Sequence, residues 1–201
     1  MLDTTYKSYQ VTAPNLELPV TLERARQQLR NEDLNYDDEH VRGLIRTAAD
    51  WVERTYGLAL LNQTVRQYHS RFPCDTATPI LLRIAPLYGA TPIVSVVYVD
   101  SAGVSNIWDS SYYTTGYIDG RPVLLPKIGE EWPSGVATDH PNAVSITYTA
   151  GYGTKATNVP ATIAQAILMQ VTDLYENRGD PPRNMTTAAE RLMQSFYRFA
   201  C

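Results

Sequence analysis

Three histidines, a glycine-rich turn, one acidic loop and two cysteines are the residues of this chain whose types and spacing offer chemistry. His40, His69 and His140 fall at a helix start, in a strand pattern and in a proline-flanked loop, with no H-x-x-x-H or comparable ligand spacing among them. Each reads as a structural or surface residue. Asp139 beside His140 has the composition of an acid–base pair, but neighbours on an extended chain point to opposite sides. No G-x-S-x-G elbow, Walker loop or H-E-x-x-H helix occurs. The expectation is a protein with no catalytic residue, no metal site and no cofactor.

Two partial motifs fail on their surroundings. Gly151, Gly153 and Ala156 satisfy G-x-G-x-x-A after a strand pattern, the form of a dinucleotide fingerprint. A helix binding a pyrophosphate must open at the glycines, whereas Pro160 places the helix start later, and no following strand carries a ribose-binding acid. In the acidic loop, Asp33, Asn35 and Asp37 match the first three ligand positions of an EF-hand. Asp38 then stands where the turn needs glycine, and Leu44 where a bidentate glutamate is needed. An inter-helix loop with Asp37 or Asp38 as a helix cap is the plainer reading. Cys74 and Cys201 are the only cysteines, so neither a disulfide framework nor a cysteine-rich metal site is available.

The elements that carry these residues follow from periodicity. Thr21 suits an N-cap for a short amphipathic helix through Arg30, with Leu22, Ala25 and Leu29 on one face. A second helix carries Val41, Leu44, Ile45, Ala48 and Val52 and stops at Gly57. From residue 60 the texture becomes β: residues 62–72, 80–84, 93–100, 104–108, 112–117 and 123–125 read as short strands, with Asp119-Gly120 a tight turn. Val144, Ile146 and Tyr148 alternate with polar residues as a further strand. The most apolar helix follows Pro160, and Ile163, Ile167, Leu168, Val171 and Leu174 are its predicted core positions. Thr187 with Glu190 forms a capping box for a last helix that ends in Phe196, Tyr197, Arg198 and Phe199. These aromatics either close the helical core or anchor a partner.

The fold expected is therefore α+β: a helical bundle, made of an N-terminal helical hairpin plus C-terminal helices, with an inserted antiparallel β-rich module. The boundaries are an extended arm over residues 1–19, the helical body over 20–59 and 158–201, and the β-module over 60–157. A chain of 201 residues can support such a core. It contains no apolar run near the ~20 residues needed to span a bilayer, and its first residues lack the pattern of a signal peptide, so a soluble protein made in a cytosol is expected. The net charge of −4 lacks the concentrated basic face of a DNA clamp. Fourteen tyrosines against three phenylalanines suit surfaces half-buried against another protein, or a module that stacks on sugars.

From TLERARQQLR through DDEHVRGLIRTAADWVERTYGLAL, VSVVYVD and VSITYTAGYG to VPATIAQAILMQVTDLYENRGD, the chain resembles the head-tail connector (adaptor, or head-completion) family of tailed bacteriophages and gene transfer agents. The resemblance spans about residues 20–200; its most specific pieces are AGYG before VPATIAQAI, the LYENR helix end, and TYGLAL before Gln63-Thr64. It implies a structural virion protein, made in the host cytoplasm and located at the head–tail neck. It further implies a homo-oligomeric ring, dodecameric in the family, beneath the portal, extending the DNA channel without binding DNA specifically. The implied partners are the portal protein and a stopper or tail-completion protein, with no membrane. Phe196, Tyr197, Arg198 and Phe199 are then the candidate portal contacts. The alternative is a carbohydrate- or protein-binding β-module of a phage tail or baseplate.

Overall fold

The computed structural model describes residues 6–30, 37–137, 139–177 and 187–199. The protein is α+β with antiparallel sheets, and it divides into two compact units: Met1–Pro14 with Gln63–Ala150, and Asn15–Asn62 with Gly151–Cys201. The sequence reading set its β boundaries at 60 and 157. The β unit instead begins at Gln63 and ends at Ala150, and it takes in the N-terminal segment.

In the β unit, eight strands form two sheets among the described residues: β1 (Tyr6–Ala13), β2 (Gln63–His69), β3 (Ile80–Leu81), β4 (Ile93–Val99), β5 (Ser105–Trp108), β6 (Tyr113–Ile118), β7 (Arg121–Pro126) and β8 (Val144–Ala150). The larger sheet has the order β1-β2-β8-β4-β5 and the smaller β3-β7-β6. Residues 6–13, expected only as an extended arm, pair with β2 in a register running from Tyr6 opposite His69 to Ala13 opposite Thr64. The β8 alternation fixes which face is covered: Val144, Ile146 and Tyr148 are fully buried, as are Val65, Gln67 and His69 across from them on β2. Asp119 and Gly120 both have positive φ, 51° and 78°, and join Ile118 to Arg121 as a two-residue hairpin turn.

Strand β3 is shorter than its sequence pattern because the donors beyond Leu82 leave the ladder. The Leu82 N–H still donates to the Pro122 carbonyl of β7, but the Arg83 and Ile84 N–H groups donate to the Gln67 side chain and the Tyr148 hydroxyl. A second tie between the sheets is aromatic. Phe72 stacks on Trp132 with centroids 5.4 Å apart, and Trp108 touches Phe72, Trp132 and Tyr113 at 5.7, 5.3 and 5.1 Å. Such tilted and edge contacts add roughly 0.5–1.5 kcal/mol each beyond burial.

The second unit holds four α-helices among its described residues: α1 (Leu22–Leu29), α2 (Asp38–Tyr56), α3 (Ala161–Glu176) and α4 (Ala188–Met193), the last continued by a 3-10 turn over Gln194–Phe199. The Thr21 hydroxyl accepts from the Arg24 N–H, Gly57 ends α2 at φ 63°, and Thr187 and Glu190 cap α4 reciprocally. The Asp37 carboxylate does not cap α2; it accepts from the Tyr175 hydroxyl at 3.0 Å, and Asp38 pairs with Arg26 of α1. One apolar cluster joins all four helices through residues such as Ala25, Ile45, Val52, Ile163, Ile167, Val171 and Met193. On α3, Ile163, Ile167, Leu168 and Val171 are at most 3% exposed, whereas Leu174 is half-buried. Burial of the four contributes roughly 6–12 kcal/mol before chain entropy is counted.

The chain leaves β8 through Gly151 and Gly153, and here the glycine requirement is steric. A Cβ on Gly151 would lie 2.6 Å from backbone atoms of Leu61 and Asn62, at φ +140°. A Cβ on Gly153 would lie 2.5 Å from the Asn158 side chain, and the Asn62 N–H donates to the Gly153 carbonyl at 2.7 Å. Pro160 sits at the capping position and α3 starts at Ala161.

Candidate interaction surfaces

Several of the residues that offered chemistry in the sequence take up local structural tasks. His140 is exposed, and its Nδ1 accepts from the Asn142 N–H at 3.2 Å, closing a turn beside an equally exposed Asp139. His40, in the first turn of α2, lies 6.1 Å from the Tyr175 ring. His69 is fully buried in β2, where its Nε2 meets the Gln67 amide nitrogen at 2.8 Å. The glycines of G-x-G-x-x-A are filled by residues 61–62 and Asn158, so the turn is a packing device and not a phosphate cradle. Of the acidic-loop candidates, Asp33 and Asn35 lie outside the described residues, and Asp37 is bonded to Tyr175. Cys74 is exposed, and Cys201 lies outside the described residues. Among the described residues no group of three or more His, Cys, Asp or Glu is placed to hold a metal ion, and no helix is long and apolar enough to cross a membrane.

The shifted carboxylates also serve local structure. Asp100 is held below the usual carboxylate range chiefly by the Val104 N–H, then by the Asn106 amide, and it also receives the Ala102 N–H. Asp109 is lowered by the hydroxyl and then the N–H of Ser111. Both are turn locks. Glu53 moves the other way: burial raises it, although the Leu60 N–H donates to its Oε1 at 2.9 Å. This carboxylate ties the end of α2 to the segment that follows.

Most of the exposed large apolar side chains among the described residues lie on the β unit. Val94, Val104, Ile107, Tyr112, Tyr117, Ile118 and Ile128 are between 44% and 107% exposed. Three of them, Ile107, Tyr112 and Ile128, are linked by chain order and one backbone hydrogen bond. Ile107 stands opposite Val97 on the edge strand β5, the chain then turns through Asp109 to Tyr112, and the Tyr112 carbonyl accepts from the Lys127 N–H at 2.9 Å, next to Ile128. Ile128 is the tip of a turn closed by the Glu130 N–H to the Lys127 carbonyl, with Gly129 at φ 87°. Sequence reasoning did not single out Ile107 or Ile128. Period-2 alternation marks two faces of a strand without saying which is covered, and a lone isoleucine in a turn carries no pattern at all.

The C-terminal aromatics separate. Phe196 is half-buried against the core of its own unit, which is the core-closing role for that residue. The backbone of Tyr197, Arg198 and Phe199 continues the 3-10 turn, and their side chains lie outside the described residues.

No protein-family model matches the chain, and no curated protein matches it. Solved structures do. A chain of the "virion of native gene transfer agent (GTA) particle" superposes with a TM-score of 0.77 at 22% identity, covering 94% of this chain and 95% of that one. Chains of the "neck of empty GTA particle computed with C6 symmetry" and the "neck of native GTA particle computed with C12 symmetry" superpose with TM-scores of 0.77 and 0.71, both at 21% identity. They cover 94% of this chain and 95% and 94% of their own. At such identity the likeness establishes a shared fold over 94% of this chain.

Proposed function

We propose that this chain is a non-catalytic structural adaptor of a phage or phage-like virion, located at the neck between head and tail. Copies dock as a ring beneath the portal, extend the DNA channel and hand it on to a stopper or tail-completion protein. The observation that carries this reading is the likeness over 94% of the chain to chains from gene transfer agent particles, two of them necks solved with six-fold and twelve-fold symmetry. A dodecamer is the ring we expect. The sequence resemblance over residues 20–200 points the same way, and a net charge of −4 suits a channel through which DNA slides without being held. Ring closure by a cyclic operator requires two different faces on each subunit, and the exposed apolar end of the β unit is a candidate for one of them. The sugar-binding alternative asks for exposed aromatic platforms; Phe72, Trp108 and Trp132 are buried against one another, which leaves Tyr9, Tyr112 and Tyr117 as the exposed aromatics on which it would have to rest among the described residues.

The test is electron microscopy of the protein mixed with its portal oligomer. Added ring density on one end of the portal is expected, with twelve copies per ring. A protein that stays monomeric and leaves the portal images unchanged overturns the reading.

A further inference from the structure

The five-stranded sheet of the β unit has two ends of opposite character. Its outermost strands, β1 and β5, lie four strand spacings apart, roughly 19 Å, and among the described residues neither pairs with a further strand on its outer side. At the β1 end, residues 8–10 are exposed, with Tyr9 supplying apolar surface. Lys7 and Arg66 are the charged residues of β1 and β2, and no acidic residue occurs in either strand. Arg66 is exposed, and the register sets it opposite Gln10.

The β5 end carries the other sign. From Ile93 to Tyr112 the charged residues are Asp100 and Asp109, both held below the usual carboxylate range by hydrogen bonds and hence ionised at neutral pH. The segment over residues 127–132 belongs to the same end: Lys127 Nζ reaches the Ser110 carbonyl at 3.4 Å, and the Trp132 ring lies 5.3 Å from that of Trp108 on β5. It adds the exposed Glu130 and Glu131 to one exposed base, Lys127. The net formal charge is −3 here and +2 over β1 and β2. Ile107, 76% exposed on β5, gives this end its apolar surface.

We propose that these two ends form the contact between neighbouring copies, the acidic β5 end of one copy docking against the basic β1 end of the next. A cyclic ring joins two different faces of each subunit, and opposite charges select that arrangement. A two-fold dimer through either end would set like charges against each other. Side chains make the contact, not a continuous ladder. Strand twist accumulates to roughly 80–100° across five strands, whereas a twelvefold operator turns each copy by only about 30°. This assignment rests on the adaptor reading.

The experiment images the full-length protein on its portal by electron microscopy, as wild type and as two charge-reversed variants. Glu130→Arg with Glu131→Arg leaves both ends basic; Lys7→Glu with Arg66→Glu leaves both acidic. Each variant, folded by circular dichroism, is expected to lose the ring alone, and a 1:1 mixture to restore it, because alternating copies in an even-numbered ring set opposite charges at every contact. Either folded variant forming rings like the wild type overturns the interface. A loss that mixing does not restore also overturns it, and points to these ends as portal contacts. A wild type that forms no ring overturns the adaptor reading together with the interface, which separates the two failures. A measurement free of variants is the salt dependence. Wild-type ring occupancy is expected to fall between 50 and 500 mM salt as the charges are screened, and an unchanged occupancy overturns the proposal.

Discussion

At Gly151 the backbone passes so close to residues 61–62 that a methyl group has no room, and φ of +140° adds strain for any L side chain. Gly151→Ala is expected to destabilise the protein by about 1–3 kcal/mol. Gly43 is the contrasting case, a mid-helix glycine of α2 with nothing within 4 Å of its Cβ position. Gly43→Ala is expected to stabilise by about 0.5–1 kcal/mol through helix propensity and reduced unfolded-chain entropy. Urea midpoints of the two variants check both signs. Glu53 supplies the pH test for the helical unit. Burial raises its carboxyl above the ordinary value of 4.5, so the folded state holds the proton more tightly than the unfolded chain. Stability is therefore greatest below that ordinary value and is lost as pH rises through the window up to the raised one. Glu53→Gln keeps an acceptor for the Leu60 N–H and removes the proton, so its stability is expected to lack that descent between pH 4 and pH 7. A urea series showing the same descent in both proteins would contradict the burial argument.

Among the elements, α3 tests the core and the last helical turn tests docking. Ile167 is fully buried in the cluster shared by all four helices, so Ile167→Ala is expected to cost about 2–5 kcal/mol, read as a lower denaturant midpoint. At the C-terminus the division falls at Phe196. Because Phe196 packs on the core, Phe196→Ala is expected to lower the melting temperature, whereas deleting residues 197–201 leaves that contact in place. Under the adaptor reading, the truncated protein keeps its helical circular dichroism and fails to co-sediment with the portal. Normal co-sedimentation would move the docking role to another surface, with the exposed end of the β unit next in line.

For the molecule as a whole, charge and fold make one joint expectation. Under the adaptor reading, a chain with 17 basic and 21 acidic side chains should show no salt-dependent retention of double-stranded DNA even at low ionic strength. Filter binding at 50 mM salt measures this, and a steep dependence of retention on salt would point to phosphate contacts and against a sliding channel. Among the described residues, the shifted carboxylates have local structural tasks. The lowered carboxylates, Asp100 and Asp109, lock turns, and the raised one, Glu53, holds a helix end.

Much of the protein was legible in residue order because the signals were local. Thr21, Gly57 and the Thr187–Glu190 pair mark helix ends through bonds that span at most a few residues. The alternation of β8 and the three-and-four spacing of Ile163, Ile167, Leu168 and Val171 marked buried faces for the same reason, since each pattern belongs to one element. The tertiary structure decided what depends on partners far apart in sequence. Residues 6–13 become a strand only because β2 offers a free edge some sixty residues away. Arg83 and Ile84 leave the β3 ladder because Gln67 and Tyr148 take their donors, and the two glycines of a nucleotide-like motif are required by the backbone at Leu61 and Asn62 and the side chain of Asn158. His69, an ordinary residue in the sequence, lies buried against a Gln67 amide that is held by a carbonyl and an N–H from another strand's continuation. Hydrogen-bond direction and steric contact are properties of pairs in space, and a sequence encodes them only where the pair is also close along the chain.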